Sequence, residues 1–489
     1  MHPDRAAVAA LAREGYTLIP VYRCLVADEL TPVAALARLA DEPYAFLFES
    51  VVGGERVARY SMLGVRPRAR LVGDLASLTV IGADGRSERI AGDPFAAVRA
   101  YQRRWRAAAV PGLPRFSGGL VGYWSYDTVR AVEPLPRCPP DPLGLPDVHL
   151  LHCDTVLVFD HSFNQLLLIA HLDLGAQDLD AAWERAAHEL DHLEQRLRAP
   201  LPVRLVQPEP VAEPQWEACT PRARFLDSVR AIHERIRAGD SFQVVLSQRL
   251  RAPCRAAPFQ VYRSLRSLNP SPYLFYLRLG DSALVGASPE LLVRVERGRV
   301  AVRPIAGTTR RGASAEEDEV LARALLADPK EIAEHTMLID LGRNDVGRVC
   351  RGGSVRLTER MVIERYSHVQ HIVSHVEGEL RPELDALDAL RACHPAGTVS
   401  GAPKVMSMQI IDELEPVKRG PYAGAVGYLD FRGNLDTCIA LRMAILTPGW
   451  AHVQAGAGVV ADSTPEGEYE ETLRKARATL AAIARAERF

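Results

Sequence analysis

Two carboxylates and one ammonium group share a face of the last helix that the sequence predicts. Glu468, Glu471 and Lys475 lie at positions i, i+3 and i+7, a spacing that puts side chains on the same side of an α-helix. The preceding segment 455–458 reads Ala-Gly-Ala-Gly, and such small residues let backbone N–H groups approach a ligand. This pattern suits a divalent cation beside an anionic ligand. It equally suits a solvated helix surface on which Lys475 pairs with Glu471.

The elements that would position these groups can be predicted individually. The C-terminal helix has a marked beginning, because Ser463 suits an N-cap, Pro465 suits the first turn, and Glu466 completes a capping box with Ser463. Earlier in the chain, the pattern predicts a helix over 94–109 and one continuous strand over 437–446.

Strand patterns outnumber helix patterns and do not follow the βαβ order of parallel sheets. We therefore predict an α+β fold whose large, mainly antiparallel sheets pack as a two-sheet core with flanking helices. Residues 199–214 contain five prolines in a polar stretch, which indicates a boundary. The predicted organisation is an N-terminal domain over 1–200, a linker over 201–221 and a C-terminal domain over 222–486.

Composition excludes several classes of protein. With 489 residues the chain is long for one core, so two domains or one large two-sheet body are expected. The 59 basic and 61 acidic residues nearly cancel, which argues against a nucleic-acid or anionic-membrane surface. No apolar run approaches the roughly 18–20 residues of a membrane span. The eight cysteines form no CxxC pair, as is typical of reduced thiols. We expect a cytoplasmic protein that binds neither nucleic acid nor membranes.

Several polar, glycine-containing clusters lie in the C-terminal half. Taken alone, each has an ordinary reading: Glu334 suits a surface salt bridge, and a lone histidine such as His371 on an apolar strand is usually structural. Taken together and in order, the clusters form recognisable motifs: F-x-GG-x-VGY-x-x-YD in the N-terminal half, then GD-x-FQVVLS, NPSPY, G-x-SPE, PIAGT, AEH-x-ML-x-DL-x-RND, V-x-H-x-VS, PAGTVSGAPK and AGAG-x-V-x-DS-x-PE-x-EYEET.

In these motifs the chain resembles the chorismate-utilising enzymes over nearly its whole length. The resemblance implies a lyase in which ammonia enters at C2 of chorismate, the C4 hydroxyl leaves, and pyruvate departs to give anthranilate for tryptophan biosynthesis. Family members that use water carry a lysine where this chain has Gln243, and those that make aminodeoxychorismate carry one where it has Ala306. Lacking both lysines, the pocket leaves C2 to an external amine. There are two alternatives: an aminodeoxychorismate synthase, and a catalytically silent regulatory subunit that binds tryptophan.

The resemblance also assigns site residues. It implies Mg²⁺ bound between enzyme carboxylates and the substrate's ring carboxylate, with Glu334 and Glu471 as ligands. Glu290 would protonate the departing hydroxyl, and His371 would act in pyruvate elimination as a base or as a ring-positioning group. The implied catalytic set is Glu290, His371, Thr398 and Glu468, and the implied substrate-binding set is Gly307, Thr308, Tyr422, Arg442, Gly456, Ala457 and Gly458.

Ammonia needs a source, and the cysteines bear on it. A glutamine amidotransferase uses a nucleophilic cysteine flanked by glycines, and none of the eight cysteines has that setting. We therefore expect a separate amidotransferase subunit (component II) and a hetero-oligomer such as a heterotetramer. The resemblance further implies feedback inhibition by L-tryptophan, bound in the N-terminal half against Ser50 together with Pro272, Tyr273 and Leu274.

Overall fold

The computed structural model describes residues 1–50, 59–201, 214–365 and 369–489. Most of the predicted linker, residues 202–213, lies outside the described residues. The start of the cluster that precedes His371, residues 366–368, lies outside them as well.

Twenty-four strands are found in the described ranges. They are β1 Leu18–Val26, β2 Tyr44–Glu49, β3 Tyr60–Val65, β4 Ala69–Gly73, β5 Ser77–Gly82, β6 Ser87–Ala91, β7 Gly119–Trp124, β8 Val148–Cys153, β9 Thr155–Asp160, β10 Gln165–Asp173, β11 Glu217–Ala218, β12 Gln243–Pro253, β13 Tyr273–Leu279, β14 Ser282–Ser288, β15 Leu291–Glu296, β16 Arg299–Val302, β17 Ile305–Arg310, β18 Arg356–Arg365, β19 Val369–Glu379, β20 Gly401–Ala402, β21 Ala425–Asp430, β22 Leu435–Ile439, β23 Met443–Thr447 and β24 Trp450–Val459.

Helices flank these strands throughout the described chain. They are α1 Arg5–Arg13, α2 Pro32–Arg38, α3 Pro94–Gln102, α4 Leu179–Leu197, α5 Arg222–Arg237, α6 Pro258–Leu268, α7 Ala315–Ala327, α8 Pro329–Gly347, α9 Ala386–Cys393, α10 Gly397–Ser400, α11 Lys404–Leu414 and α12 Pro465–Ala486, with one 3₁₀ turn over Tyr126–Ala131.

The strands form two large sheets. The first, sheet A, has the order β1-β10-β9-β3-β2-β13-β14-β23-β24-β12-β11, with β20 also paired to β12. The second, sheet B, has the order β17-β19-β16-β15-β22-β21-β7-β8-β4-β5-β6, with β18 paired to β19. Within the described ranges, every pairing between named strands is antiparallel. The predicted α+β, mainly antiparallel fold is confirmed.

An apolar layer lies between the two sheets. Phe46 and Phe275 from sheet A meet Tyr123 and Tyr428 from sheet B in one buried cluster. At Gly64 a Cβ atom would lie 2.3 Å from the Phe46 ring, so the glycine makes room for that ring. Each sheet contains strands from both halves of the sequence, joined at the β2–β13 pair in sheet A and at the β7–β21 pair in sheet B.

The sequence predictions for three single elements are wrong in part. The helix predicted over 94–109 ends at Gln102, because residues 106–108 run extended and hydrogen-bond to the backbone of residues 17 and 18. The N-cap of α12 is Thr464 rather than Ser463: the Thr464 hydroxyl accepts from the Gly467 N–H at 3.2 Å. The Ser463 hydroxyl accepts instead from the Val460 N–H, so the predicted capping box is absent.

The strand predicted over 437–446 is in fact two strands that belong to different sheets. The first is β22 in sheet B and the second is β23 in sheet A, and the chain crosses from one sheet to the other at residues 440–442. Arg442 has a left-handed backbone conformation, with φ of 49°. That conformation bends the chain where a continuous strand was expected.

Candidate active site

Two crossings between the sheets lie side by side and form one wall of a cavity. Pro289 and Glu290 connect β14 of sheet A to β15 of sheet B, next to the crossing at residues 440–442. The Ile439 N–H donates to the Glu290 carbonyl at 3.0 Å, and the Ala287 N–H donates to the Arg442 carbonyl at 3.1 Å. Two chain segments distant in sequence are therefore tied together at the edge of the cavity.

The cavity has a volume of about 370 Å³. It brings together most of the residues that the sequence pointed to: Glu290, Gly307, Thr308, Glu334, His371, Thr398, Tyr422, Arg442, Gly456, Gly458, Glu471 and Lys475, together with Gln243 and Ala306. Two predicted residues, Ala457 and Glu468, are not among the residues that line it. Ala457 lies between two lining glycines on β24, where alternate side chains face opposite sides of the sheet.

Glu290 is a buried carboxyl group whose proton affinity is high. Burial raises its pKa to about 8, although a hydrogen bond from Thr398 works in the opposite direction. The Thr398 hydroxyl lies 3.0 Å from Oε1 of Glu290 and donates to it. At neutral pH the group is therefore mostly protonated, with Oε1 accepting from Thr398 and Oε2 able to carry the proton.

His371 is oriented by the neighbouring strand. Its Nδ1 lies 3.0 Å from the Gly307 carbonyl and 3.1 Å from the Thr308 hydroxyl. A carbonyl oxygen only accepts, so we assign the proton to Nδ1 and the acceptor lone pair to Nε2. Burial lowers the pKa of His371, which favours the neutral ring. Gly307 makes the contact possible, because it lies at a β-bulge with φ of +70°.

Arg442 places a cation at the cavity. Burial lowers the pKa of its guanidinium, while nearby Glu471 and Tyr422 favour the charged form. In the described part of the chain the guanidinium has no hydrogen bond and no ion pair within 4 Å. Tyr422 is also buried, and burial raises its pKa to about 12, so its hydroxyl stays protonated. A Cβ at Gly456 would lie 3.0 Å from that hydroxyl, so the glycine keeps the backbone close to Tyr422.

Carboxylates from two helices face the same cavity. Glu334 belongs to α8 and Glu471 to α12, and both line it. Burial works to raise the pKa of Glu471, but Lys475 at 3.3 Å and Arg474 at 2.5 Å outweigh it and the pKa is lowered. Glu471 is therefore ionised at neutral pH.

Glu331 also lines the cavity, and the sequence reasoning missed it. It precedes Glu334 by one helical turn, so the i, i+3 spacing that singled out Glu468 and Glu471 could have found it. Its pKa is raised by burial and by the like charge of Glu334. A bound cation would relieve this repulsion between carboxylates.

The donor atoms fit Mg²⁺. Over the described ranges, no group of three or more His, Cys, Asp or Glu side chains is arranged to hold a metal ion. Mg²⁺ does not need such a group, because it commonly takes one or two carboxylates and completes its shell with water and substrate oxygens. Glu334 and Glu471 supply that number of oxygen donors.

A second, smaller cavity contains the residues that were predicted to bind tryptophan. Ser50, Pro272, Tyr273 and Leu274 all line it. Neighbouring Glu49 is buried and accepts hydrogen bonds from Arg266 at 2.9 and 3.2 Å and from the Tyr262 hydroxyl. Three charged residues that the sequence reasoning did not include, Arg115, Arg294 and Asp436, also line this cavity.

Two negative predictions can be compared with the structure. All eight cysteines are free thiols. No helix in the described residues is both long enough and apolar enough to cross a membrane.

Comparison with known proteins identifies the family. Residues 57–481 match the model of the chorismate binding enzymes, so the chain belongs to that family. It is 50% identical to anthranilate synthase component 1 of Pseudomonas putida over 99% of both chains, and 49% identical to that of Acinetobacter calcoaceticus over 97% of this chain and 96% of the relative. The crystal structure of anthranilate synthase component I from Streptococcus pneumoniae TIGR4 is 38% identical, with a TM-score of 0.78 over 94% of this chain and 99% of that one. Within the family, the chain groups with anthranilate synthase component 1.

Proposed function

We propose that this chain is the aminating subunit of an anthranilate synthase, which converts chorismate and ammonia into anthranilate and pyruvate. One observation carries the proposal beyond family membership. A buried, protonated Glu290 and an unpaired Arg442 lie on adjacent crossings of one cavity whose other walls hold His371, Glu334 and Glu471. Chorismate is a dianion that must lose a hydroxyl group, so it needs an acid and cationic partners in the same place.

Glu290 has the properties of the acid. Loss of the C4 hydroxyl requires a proton, and a carboxyl group with a pKa of about 8 still holds one at neutral pH. The Thr398 hydroxyl fixes Oε1, so Oε2 presents the proton to the leaving oxygen. Ammonia attacks C2, the C1=C2 and C5=C6 double bonds shift to C1=C6 and C4=C5, and the C4–O bond breaks so that water departs with the proton from Glu290.

His371 serves the second half of the reaction. Removal of the C2 proton restores the aromatic ring as the bond between C3 and the ether oxygen breaks. The side chain leaves as the enolate of pyruvate and becomes pyruvate when its methylene carbon takes up a proton. The neutral His371 ring with its lone pair on Nε2 accepts the C2 proton, and the Gly307 carbonyl stabilises the resulting imidazolium through Nδ1–H.

Charged groups hold the substrate. Arg442 binds the enolpyruvyl carboxylate with a charge-assisted hydrogen bond, and Tyr422 adds a hydroxyl donor beside Gly456. Glu334 and Glu471 would hold Mg²⁺, with Glu331 one turn before Glu334 on α8 and Glu468 one turn before Glu471 on α12. When bound, Mg²⁺ neutralises the ring carboxylate and fixes the ring in place.

Ammonia comes from a separate glutamine amidotransferase subunit, component II, in a hetero-oligomer. The buried cysteines have pKa values raised by burial, as for Cys254 and Cys350 at about 11, which makes them poor nucleophiles. The sequence also supports a separate amidotransferase subunit, because no cysteine in it is flanked by glycines.

Product analysis tests the proposal. The purified chain is incubated with chorismate and Mg²⁺, with either an ammonium salt or glutamine as the nitrogen source. We expect 2-aminobenzoate and pyruvate in equal amounts with ammonium, and almost no product with glutamine. Formation of 4-aminobenzoate would indicate an aminodeoxychorismate synthase, and tryptophan binding without turnover would indicate a silent regulatory subunit. Efficient use of glutamine by the chain alone would contradict the separate amidotransferase.

The smaller cavity is the proposed site of feedback inhibition by L-tryptophan. Ser50→Phe puts a large aromatic ring into the smaller cavity, where the inhibitor would bind. Such overpacking costs about 1–3 kcal/mol, which corresponds to a loss of about 5- to 150-fold in affinity for tryptophan. We expect turnover to be retained and the inhibition constant for tryptophan to rise by that factor. Leu274→Met is the matched control, because it nearly conserves volume in the same cavity and should leave inhibition close to wild type. Inhibition that is unchanged in Ser50→Phe would place the inhibitor elsewhere.

A further inference from the structure

A buried ion pair lies directly behind the walls of the active-site cavity. Arg419 is 2% exposed and Glu415 is 6% exposed, and they are joined by two hydrogen bonds, from Nη2 to Oε1 at 2.6 Å and from Nε to Oε2 at 2.9 Å. Neither residue lines the cavity. A pair buried this deeply is costly to desolvate, and exchange for apolar residues is often neutral or stabilising. Stability alone therefore does not explain why the pair is there.

The arginine joins two separate walls of the cavity. Its Nη1 donates to the Val399 carbonyl at 2.6 Å, and its Nη2 donates to the Val245 carbonyl at 2.7 Å. Val399 belongs to α10 and Val245 to β12, and both line the cavity. The guanidinium carbon also lies 5.9 Å from the centre of the Tyr422 ring.

The glutamate fixes the arginine to sheet A. Oε1 of Glu415 accepts from the Ser247 N–H at 2.8 Å and from the Ser247 hydroxyl at 2.7 Å. The guanidinium fork is thus held on one side by a carboxylate anchored to β12, and it reaches α10 on the other side. Lysine cannot make the same hydrogen bonds, because a single ammonium group cannot reach all the acceptors that the planar guanidinium group contacts.

We propose that Arg419 and Glu415 are positioning residues that set the distance between Thr398 and Glu290, and through it the protonation of the catalytic acid. Val399, which Arg419 holds, is the residue next to Thr398, and α10 is a single turn of only four residues with no side-chain cap. Arg419 is therefore a main restraint on the position of the Thr398 hydroxyl. This inference rests on the proposed function of the cavity.

The consequence can be measured as a pH dependence. The Thr398 hydrogen bond lowers the pKa of Glu290, so its loss raises that pKa. The rate falls as pH rises through the pKa of Glu290, because the protonated form is the active one. Loss of the restraint therefore moves the basic limb of the kcat profile to higher pH. Among the described residues, no titratable side chain hydrogen-bonds to the Glu290 carboxyl. The other titratable groups that line the cavity are Glu331, Glu334, His371, Tyr422, Arg442, Glu471 and Lys475, and the variants leave all of them in place.

The test uses Arg419→Lys, which keeps the charge beside Glu415, and the doubly neutral pair Arg419→Met with Glu415→Gln, which leaves no unpaired buried charge. Both are assayed at constant free ammonia over a pH series. We expect kcat to fall by about 10- to 100-fold, as for a small displacement of a catalytic group. The KM for chorismate should change less than kcat, and the basic limb should move upward.

The decisive comparison is with Thr398→Val. That variant already lacks the hydroxyl. If Arg419 and Glu415 act through this hydroxyl, adding their changes to Thr398→Val should move the basic limb no further. Effects that do not pass through Thr398 would instead add to the shift. Further movement in this background would overturn the proposal.

A matched control is the buried cluster in which Arg130 pairs with Asp412 at 2.8 Å and with Asp127 at 3.2 Å, with side chains 7%, 4% and 1% exposed. Arg130→Met with Asp412→Asn and Asp127→Asn removes all three charges, so it reports the effect of losing a buried ionic cluster on stability and activity. Its basic limb should stay at the wild-type pH, and a limb that moves as in the Arg419 variants would contradict the proposed role. A wild-type enzyme without activity would refute the proposed function instead.

Discussion

Replacing Glu290 with glutamine is expected to lower kcat by about 10²- to 10⁴-fold, the usual effect of losing a general acid. Glutamine has nearly the same shape and still accepts the Thr398 hydrogen bond, but it has no acidic proton for the leaving hydroxyl. The KM for chorismate should change much less than kcat. Initial rates of anthranilate formation with ammonium as the nitrogen source give both constants.

Thr398→Val provides the companion experiment on the same acid. It retains the carboxyl group of Glu290 but removes the donor that lowers its pKa. Activity should persist, with its basic limb moved to higher pH relative to wild type. If Glu290→Gln kept more than a tenth of the wild-type kcat, another group would have to supply the proton and the assignment would be wrong.

The second large effect is expected at Arg442. Arg442→Leu removes the cation that we assign to the enolpyruvyl carboxylate and leaves that anion without a partner in a largely buried site. Truncating one side of such a pair costs about 2–5 kcal/mol, or about 30- to 5,000-fold in kcat/KM. Both residues have a Cβ, so the left-handed backbone at this position is equally strained in the two proteins.

Arg263→Leu is the control for Arg442→Leu. Arg263 lies over the ring of Phe489, 4.7 Å from its centre, and does not line the cavity. The same change of charge and volume there should leave kcat/KM close to wild type. If Arg442→Leu behaved like this control, the carboxylate would be bound by another group.

The sequence was informative wherever chemistry is carried by local motifs. Except for Glu468, the residues predicted from the SPE, PIAGT and AEH motifs and from the C-terminal helix line one cavity, because each motif lies at one end of a strand or in the first turns of a helix. The fold class followed from the same strand-rich pattern. Local patterns are sufficient for such features because they depend on neighbouring residues.

Long-range features could not be predicted in the same way. The segment 437–446 is apolar on both sides of its bend, so nothing in its period shows that it leaves one sheet for the other. The resemblance nevertheless identified Arg442 as a substrate-binding residue. It did not reveal that the chain passes from one sheet to the other at this position. Similarly, either Ser463 or Thr464 suits an N-cap, and only the distance to the Gly467 N–H decides between them.

The interleaving of the two halves limits how such a protein can be recombined. The N-terminal and C-terminal strands meet at β2–β13 in one sheet and at β7–β21 in the other, and residues from β2, β13 and β21 line the smaller cavity. A chimaeric gene that took its first half from a relative would therefore have to match both junctions at once. The tryptophan inhibition that we propose for the smaller cavity would then depend in such a hybrid on residues from both parents.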